Sequence, residues 1–214
     1  MATDVTNPPA VSDYFAVFGL PRKLALDSKA LEQQFYQLSR KLHPDVFARA
    51  PQAEQRRALE LSSRLNDAYR TLRDPLERTK YLLSLEGVKL EEQSAGATEQ
   101  ARASGEQKKQ AVPPELLEEV FELNVQLEEA RMAKQTGVRD ENVARDLAQQ
   151  KQSFEAKLAA LETELRSYWA EWDTGVSASD DTKKASAKTK MTDLLNRRSY
   201  IRNLVRDVNE VLES

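Results

Sequence analysis

From Asp27 to Leu42 the large apolar residues Leu31, Phe35, Leu38 and Leu42 fall at i, i+4, i+7 and i+11, the stripe of an amphipathic helix with one face to bury. That period returns along most of the chain and limits what the chain can become. Ala58, Leu61, Leu65, Ala68, Tyr69 and Leu72 mark one side of a second helix that opens at Pro51, a favoured first-turn residue. Gly 6 and Pro 8 in 214 residues are too few for the turns of a many-stranded β protein, and 40% hydrophobic residues are too many for a disordered chain. The chain is expected to be all-α, and its length suits two small domains.

Local signals place the boundaries. Asp13 caps a short apolar turn of Tyr14, Phe15, Val17 and Phe18, which Gly19 and Pro21 end. Pro44 disfavours the α conformation at the residue before it, so the helix from Asp27 stops near His43. Asp74-Pro75-Leu76-Glu77 reads as a variant capping box, with Asp74 at the N-cap, Pro75 at the first helical position and Glu77 at the third, and opens a fourth helix through Leu85 that Gly87 ends. Residues 13–90 therefore predict a small helical domain with an antiparallel hairpin at its centre. Residues 1–12, polar with two adjacent prolines, predict a disordered tail, and 91–112, poor in large apolar residues, a solvated linker.

Past Pro113-Pro114 the helices lengthen. The first runs to about Gln135. The second, from Asp140 to Trp172, carries Val143, Leu147, Phe154, Leu158, Leu161, Leu165, Tyr168 and Trp172 near heptad spacing. The stretch 173–190 reads as a loop, and the last helix, from about Met191, turns Leu194, Ile201, Val205, Val208 and Leu212 to one side. With a short connection at Thr136-Gly137, residues 113–214 are expected to form an antiparallel three-helix bundle.

Composition removes whole classes of function. With Cys 0 and His 1, disulfides, thiolate nucleophiles, iron-sulfur ligation by this chain and Cys/His zinc sites all drop out, so neither cofactor nor metal is expected. A formal net charge of -3 argues against a general nucleic-acid binder. No apolar run approaches the ~20 residues that cross a bilayer, and MATDVTNPPAVS lacks a signal pattern. No membrane association and a cytoplasmic, reducing location are expected.

The one histidine stands in His43-Pro44-Asp45, in the turn between the two amphipathic helices. Taken alone the tripeptide is also what a helix stop and a stabilised turn would use. Around it, however, lie the basic Arg40-Lys41, the later Leu65-Asn66-Asp67-Ala68-Tyr69-Arg70-Thr71-Leu72 and the Asp74-Pro75 pair. Together these resemble the J-domain of the DnaJ class, which binds a DnaK-type chaperone and stimulates its ATP hydrolysis. Asp13-Tyr14-Phe15 to Gly19-Leu20-Pro21, Pro75-Leu76-Glu77-Arg78 and Tyr81-Leu82-Leu83-Ser84-Leu85-Glu86-Gly87 further resemble the HscB family of iron-sulfur cluster co-chaperones. The resemblance is specific over 13–89 and looser over 113–214.

The resemblance implies that His43, Pro44 and Asp45, with Arg40 and Lys41, contact a DnaK/HscA-type chaperone ATPase. The chemistry suits the role: Pro44 fixes a torsion, Asp45 offers an acceptor for a bidentate arginine, and His43 a ring that packs or hydrogen-bonds. Arg22, Lys23, Lys29, Arg40, Lys41 and Arg49 outweigh Asp27, Glu32 and Asp45, giving 22–49 a local charge of +3 that steers an acidic partner.

A second candidate surface lies beyond the linker. Leu116, Val120, Leu123 and Leu127 form one stripe; Leu117, Phe121 and Val125 form another, centred about 130° away. One helix contact cannot cover both. Either the second stripe is spare, bordered by Glu118, Glu119, Glu122, Glu128 and Glu129, or the bundle buries two sides of this helix and both are core. In the HscB family the corresponding face holds the iron-sulfur scaffold protein of the IscU type, and the resemblance carries that role to Leu117, Glu118, Phe121, Glu122, Val125 and Tyr200. Tyr200 lies about 100° from the core direction set by Ile201 and is expected at the edge of the same face. The sequence departs from the family, which usually has an apolar residue where Glu118 stands and an acidic one where Val125 stands.

Three functions compete. The leading one is a non-catalytic co-chaperone that activates a chaperone ATPase and delivers the scaffold to it. A J-domain adaptor for a different client keeps the His43 turn but not the scaffold. An enzyme using the carboxylates of 113–135 has no Glu-x-x-His motif and no phosphate-binding glycine loop to support it.

Overall fold

The computed structural model describes residues 13–90, 112–135 and 141–213; the expected tail at 1–12, all but the last residue of the expected linker and the connection at Thr136-Gly137 lie outside them. Among the described residues every regular element is helical, and the fold is all-α. No helix among them is long and apolar enough to cross a membrane. The chain divides into two compact units, Met1–Lys89 with Trp169–Lys188, and Leu90–Tyr168 with Thr189–Ser214.

In the first unit aspartates cap the helices, Asp13 and Asp74 as the sequence predicts and Asp27 in addition. Asp13 accepts a hydrogen bond from the Phe15 N–H and opens α1 (Tyr14–Val17); Gly19, at φ 61°, then reverses the chain at a backbone angle few side chains tolerate. Asp27 accepts from the Lys29 and Ala30 N–H groups at the head of α2 (Ser28–Lys41). Asp74 ends α3 (Gln52–Arg73) and caps α4 (Pro75–Leu85), accepting from the Leu76 and Glu77 N–H groups. The Glu77 carboxylate, in the first turn of α4, pairs with Lys80 at 3.0 Å. α2 packs on α3 with the Phe35 and Tyr69 rings stacked 4.1 Å apart. Phe15, Phe18, Leu24, Leu31, Leu65, Leu72, Leu82 and Leu83 are buried beneath them.

The stretch expected as a loop at 173–190 is helical. α6 (Glu141–Ala178) runs into it and α7 (Asp181–Glu213) begins ten residues before the predicted start. Between them the chain turns on Ser179, at φ 52°, and the Asp180 carboxylate caps α7 by accepting from the Thr182 and Lys183 N–H groups. The cause is size. The residues that face the neighbouring helix are small, so no large apolar stripe shows: Ala187 is fully buried, and a Cβ on the buried Gly175 would stand 2.9 Å from Lys184 Cγ. Alanine and lysine are strong helix formers and carry the rest.

The tip of this hairpin, Trp169–Lys188, is counted with the first unit, whereas periodicity grouped it with 113–214. Trp169 and Trp172 are buried there. The Trp169 indole N–H donates to Thr79 Oγ1 at 3.0 Å while the Arg78 guanidinium lies over its ring and donates to the Leu72 carbonyl at 2.7 Å. The Trp172 indole donates to the Arg22 carbonyl at 2.9 Å, and the Asp173 carboxylate accepts from the Leu24 and Ala25 N–H groups at 2.7 and 2.8 Å. Stripes report apolar faces; these polar closures leave no such trace.

In the second unit a 3-10 turn, Pro114–Leu116, leads into α5 (Leu117–Gln135). Its buried residues Leu116, Val120, Leu123 and Leu127 share the core with Leu147, Phe154, Leu161 and Leu165 of α6 and Leu194, Ile201 and Val208 of α7. Arg197 donates to Glu115 at 3.1 Å and to Glu164 at 2.9 Å, and Lys157 pairs with Glu119 at 2.8 Å. Its own backbone N–H, and then Arg197, hold the Glu115 carboxyl below the usual carboxylate range.

Removing the Asp173 carboxylate leaves the buried Leu24 N–H without its acceptor. Asp173→Ala is expected to lower unfolding stability by about 1–3 kcal/mol, read by urea denaturation followed through tryptophan fluorescence, with native helicity unchanged. A midpoint equal to that of the unaltered chain contradicts the closure.

Candidate functional site

Two surfaces stand out, one in each unit. The first begins where α2 ends. Leu42 closes the helix, and His43 takes an extended conformation and becomes the N-cap of a 3-10 turn, Pro44–Phe47, with Pro44 at its first position. The His43 ring faces its own turn: Nδ1 accepts from the Asp45 N–H at 3.3 Å and lies 3.4 Å from the Asp45 carboxylate. The His43 ring thereby braces the turn from within. Asp45 keeps 90% of its side chain exposed and so retains acceptor capacity for a partner.

Arg40 and Lys41 occupy the last turn of α2, where cations also oppose the helix dipole, and both are exposed. Among the described residues neither is in an ion pair. The structure thus brings His43, Pro44, Asp45, Arg40 and Lys41 to one end of α2. It adds Val46, 65% exposed beside Asp45, which the sequence reading passes over because a single apolar residue in a turn has no period.

The second surface decides between the two readings of α5. Leu116, Val120, Leu123 and Leu127 are buried, while Leu117, Phe121 and Val125 are exposed, Phe121 to 71%. One stripe is core and the other is open. Glu118 and Glu122 are exposed beside it. Tyr200 is different: it is half-buried on α7, and burial, with Asp207 adding repulsion, raises its hydroxyl pKa. Among the described residues no ring contact or hydrogen bond joins it to Leu117, Phe121 or Val125. Met132, one heptad beyond Val125, is exposed on the same side of α5, past the point where the sequence reading stops.

Comparison with known proteins adds to this geometry. Residues 13–81 match the DnaJ domain model. Over 85 residues the chain is 45% identical to the co-chaperone protein HscB homolog of Bordetella avium, covering 40% of this chain and 51% of that one. Over 121 residues it is 40% identical to the HscB homolog of Azoarcus, covering 56% of this chain and 60% of the relative. Over these matched residues the chain is similar to HscB co-chaperone proteins. It spans about half to three fifths of the length of these HscB relatives, with the matched names being those of co-chaperones. The crystal structure of human co-chaperone protein HscB shares the fold, with a TM-score of 0.53 at 22% identity over 98% of this chain and 84% of that one.

Exposure makes a direct prediction about α5. The double substitution Leu117→Ala with Phe121→Ala is expected to shift stability by no more than about 0.5 kcal/mol per site, whereas Leu123→Ala, in the core stripe, costs about 2–5 kcal/mol. Thermal melts by circular dichroism check both; a steep loss in the double variant would return the second stripe to the core.

Proposed function

We propose that this chain is a non-catalytic co-chaperone with two protein-binding surfaces. The His43-Pro44-Asp45 turn, with Arg40 and Lys41, binds a DnaK/HscA-type chaperone and stimulates its ATPase. The Leu117, Phe121 and Val125 strip, with Glu118, Glu122 and the edge residue Tyr200, binds an iron-sulfur scaffold protein of the IscU type and delivers it to the chaperone. The observation that carries the reading is the exposed Asp45 carboxylate in a rigid turn of a DnaJ domain, beside two cations with no ion pair among the described residues.

Joining both surfaces in one chain raises the effective concentration of client near the chaperone without any new contact. A chain with no cysteine supplies no thiolate to a cluster, so the cluster stays on the partner. The reading places the chain in the cytoplasm, where such partner thiols stay reduced. Glu118 and Val125, which depart from the family pattern, favour one alternative: the same J-domain serving a different client.

ATP hydrolysis by the purified chaperone, measured with and without this chain, tests the reading. His43→Gln and Asp45→Asn are expected to abolish stimulation while helicity and melting stay near those of the unaltered chain, because the turn is exposed. Full stimulation by both variants would remove the J-domain role. Arg40→Glu with Lys41→Glu is expected to slow association, more at low salt than at high.

A further inference from the structure

The open strip on α5 is longer than the face assigned above, and its two borders differ. At ~100° per residue Leu117, Phe121, Val125 and Met132 fall within a sector of about 80°. At 1.5 Å per residue they extend over about 22 Å. All four are exposed, Met132 to 64%. Along one border stand Glu118, Glu122 and Glu129, all exposed. Along the other stand Asn124 and Arg131. Glu128 falls inside the sector, but Arg131 pairs with it at 2.8 Å and offsets its charge.

We infer that Met132 is a further partner-contact residue, and that the strip takes an elongated apolar segment of the scaffold protein carrying basic side chains along one edge. The inference rests on the scaffold-binding reading above. A partner with its basic edge against Glu118, Glu122 and Glu129 gains attraction along the whole strip. Turned end for end, it would lose that attraction, because the opposite border carries only the neutral Asn124 and an Arg131 already paired with Glu128. The one-sided border therefore fixes the direction in which the segment lies. At the far end the flexible thioether of Met132 adapts to whatever apolar side chain it meets.

Titration calorimetry of the cognate scaffold protein into the full chain tests this with four variants. Phe121→Ala is expected to lose binding. Met132→Gln, which keeps helix propensity, is expected to weaken binding about five- to tenfold, and Met132→Leu to retain it. Glu129→Lys is expected to weaken binding about threefold at low salt and less at high salt. If Met132→Gln and Glu129→Lys bind as the unaltered chain does while Phe121→Ala fails, the inference is overturned and the scaffold reading stands. If the unaltered chain does not bind the scaffold, both fall. Self-association that Met132→Gln abolishes would assign the far end of the strip to a second copy of this chain and overturn the inference.

Discussion

The first unit depends on two tryptophans and an aspartate that arrive from far along the chain. Between Gly19 and Asp27 the backbone has no helix to satisfy its amides, and the buried Leu24 N–H needs an acceptor. Asp173 supplies it, 149 positions away, and takes the Ala25 N–H as well. Trp172 closes on the Arg22 carbonyl, while Trp169 fills the space between Thr79 and Arg78. The DnaJ match ends at residue 81, yet the unit that contains it is completed by Trp169–Lys188. A held segment at 22–25 fixes where Asp27 caps α2, and α2 carries the His43 turn at its other end.

Both candidate surfaces follow one rule: a side chain is available to a partner when the fold has satisfied its neighbours by other means. At the turn, Pro44 and the His43 Nδ1 contact with the Asp45 N–H order the backbone and leave the Asp45 side chain exposed. Leu116 just before α5 and Val120, Leu123 and Leu127 on it anchor the helix, so Leu117 and Phe121 are not needed for packing. Chains that keep large apolar residues on water risk aggregation; here exposed glutamates border the strip and favour solubility.

The parts legible in the sequence were those set by local chemistry. Asp13 and Asp74 announce their helices because a cap is chosen by its nearest amides, and Pro44 announces its stop for a similar reason. Leu31 and Leu65 reveal their faces by period alone. What escaped was set by distant or small partners. Gly175 and Ala187 let two helices approach closely but leave no apolar stripe, so 173–190 looks like a loop. The buried Arg78 donates to the Leu72 carbonyl and lies over the face of Trp169, a pairing without sequence signature. Met132 was hidden by Glu128, which interrupts the strip in sequence and is offset in space by Arg131.

The central claim is that one chain holds two separate surfaces, one for the chaperone and one for its client. Single-turnover ATP hydrolysis by the chaperone, with this chain present and the scaffold protein added or withheld, tests it most directly. The account predicts that a chain carrying Phe121→Ala stimulates hydrolysis as well as the unaltered chain when scaffold is withheld, and loses the additional stimulation that scaffold brings. Loss of the scaffold-free stimulation, or an undiminished response to scaffold, would contradict it.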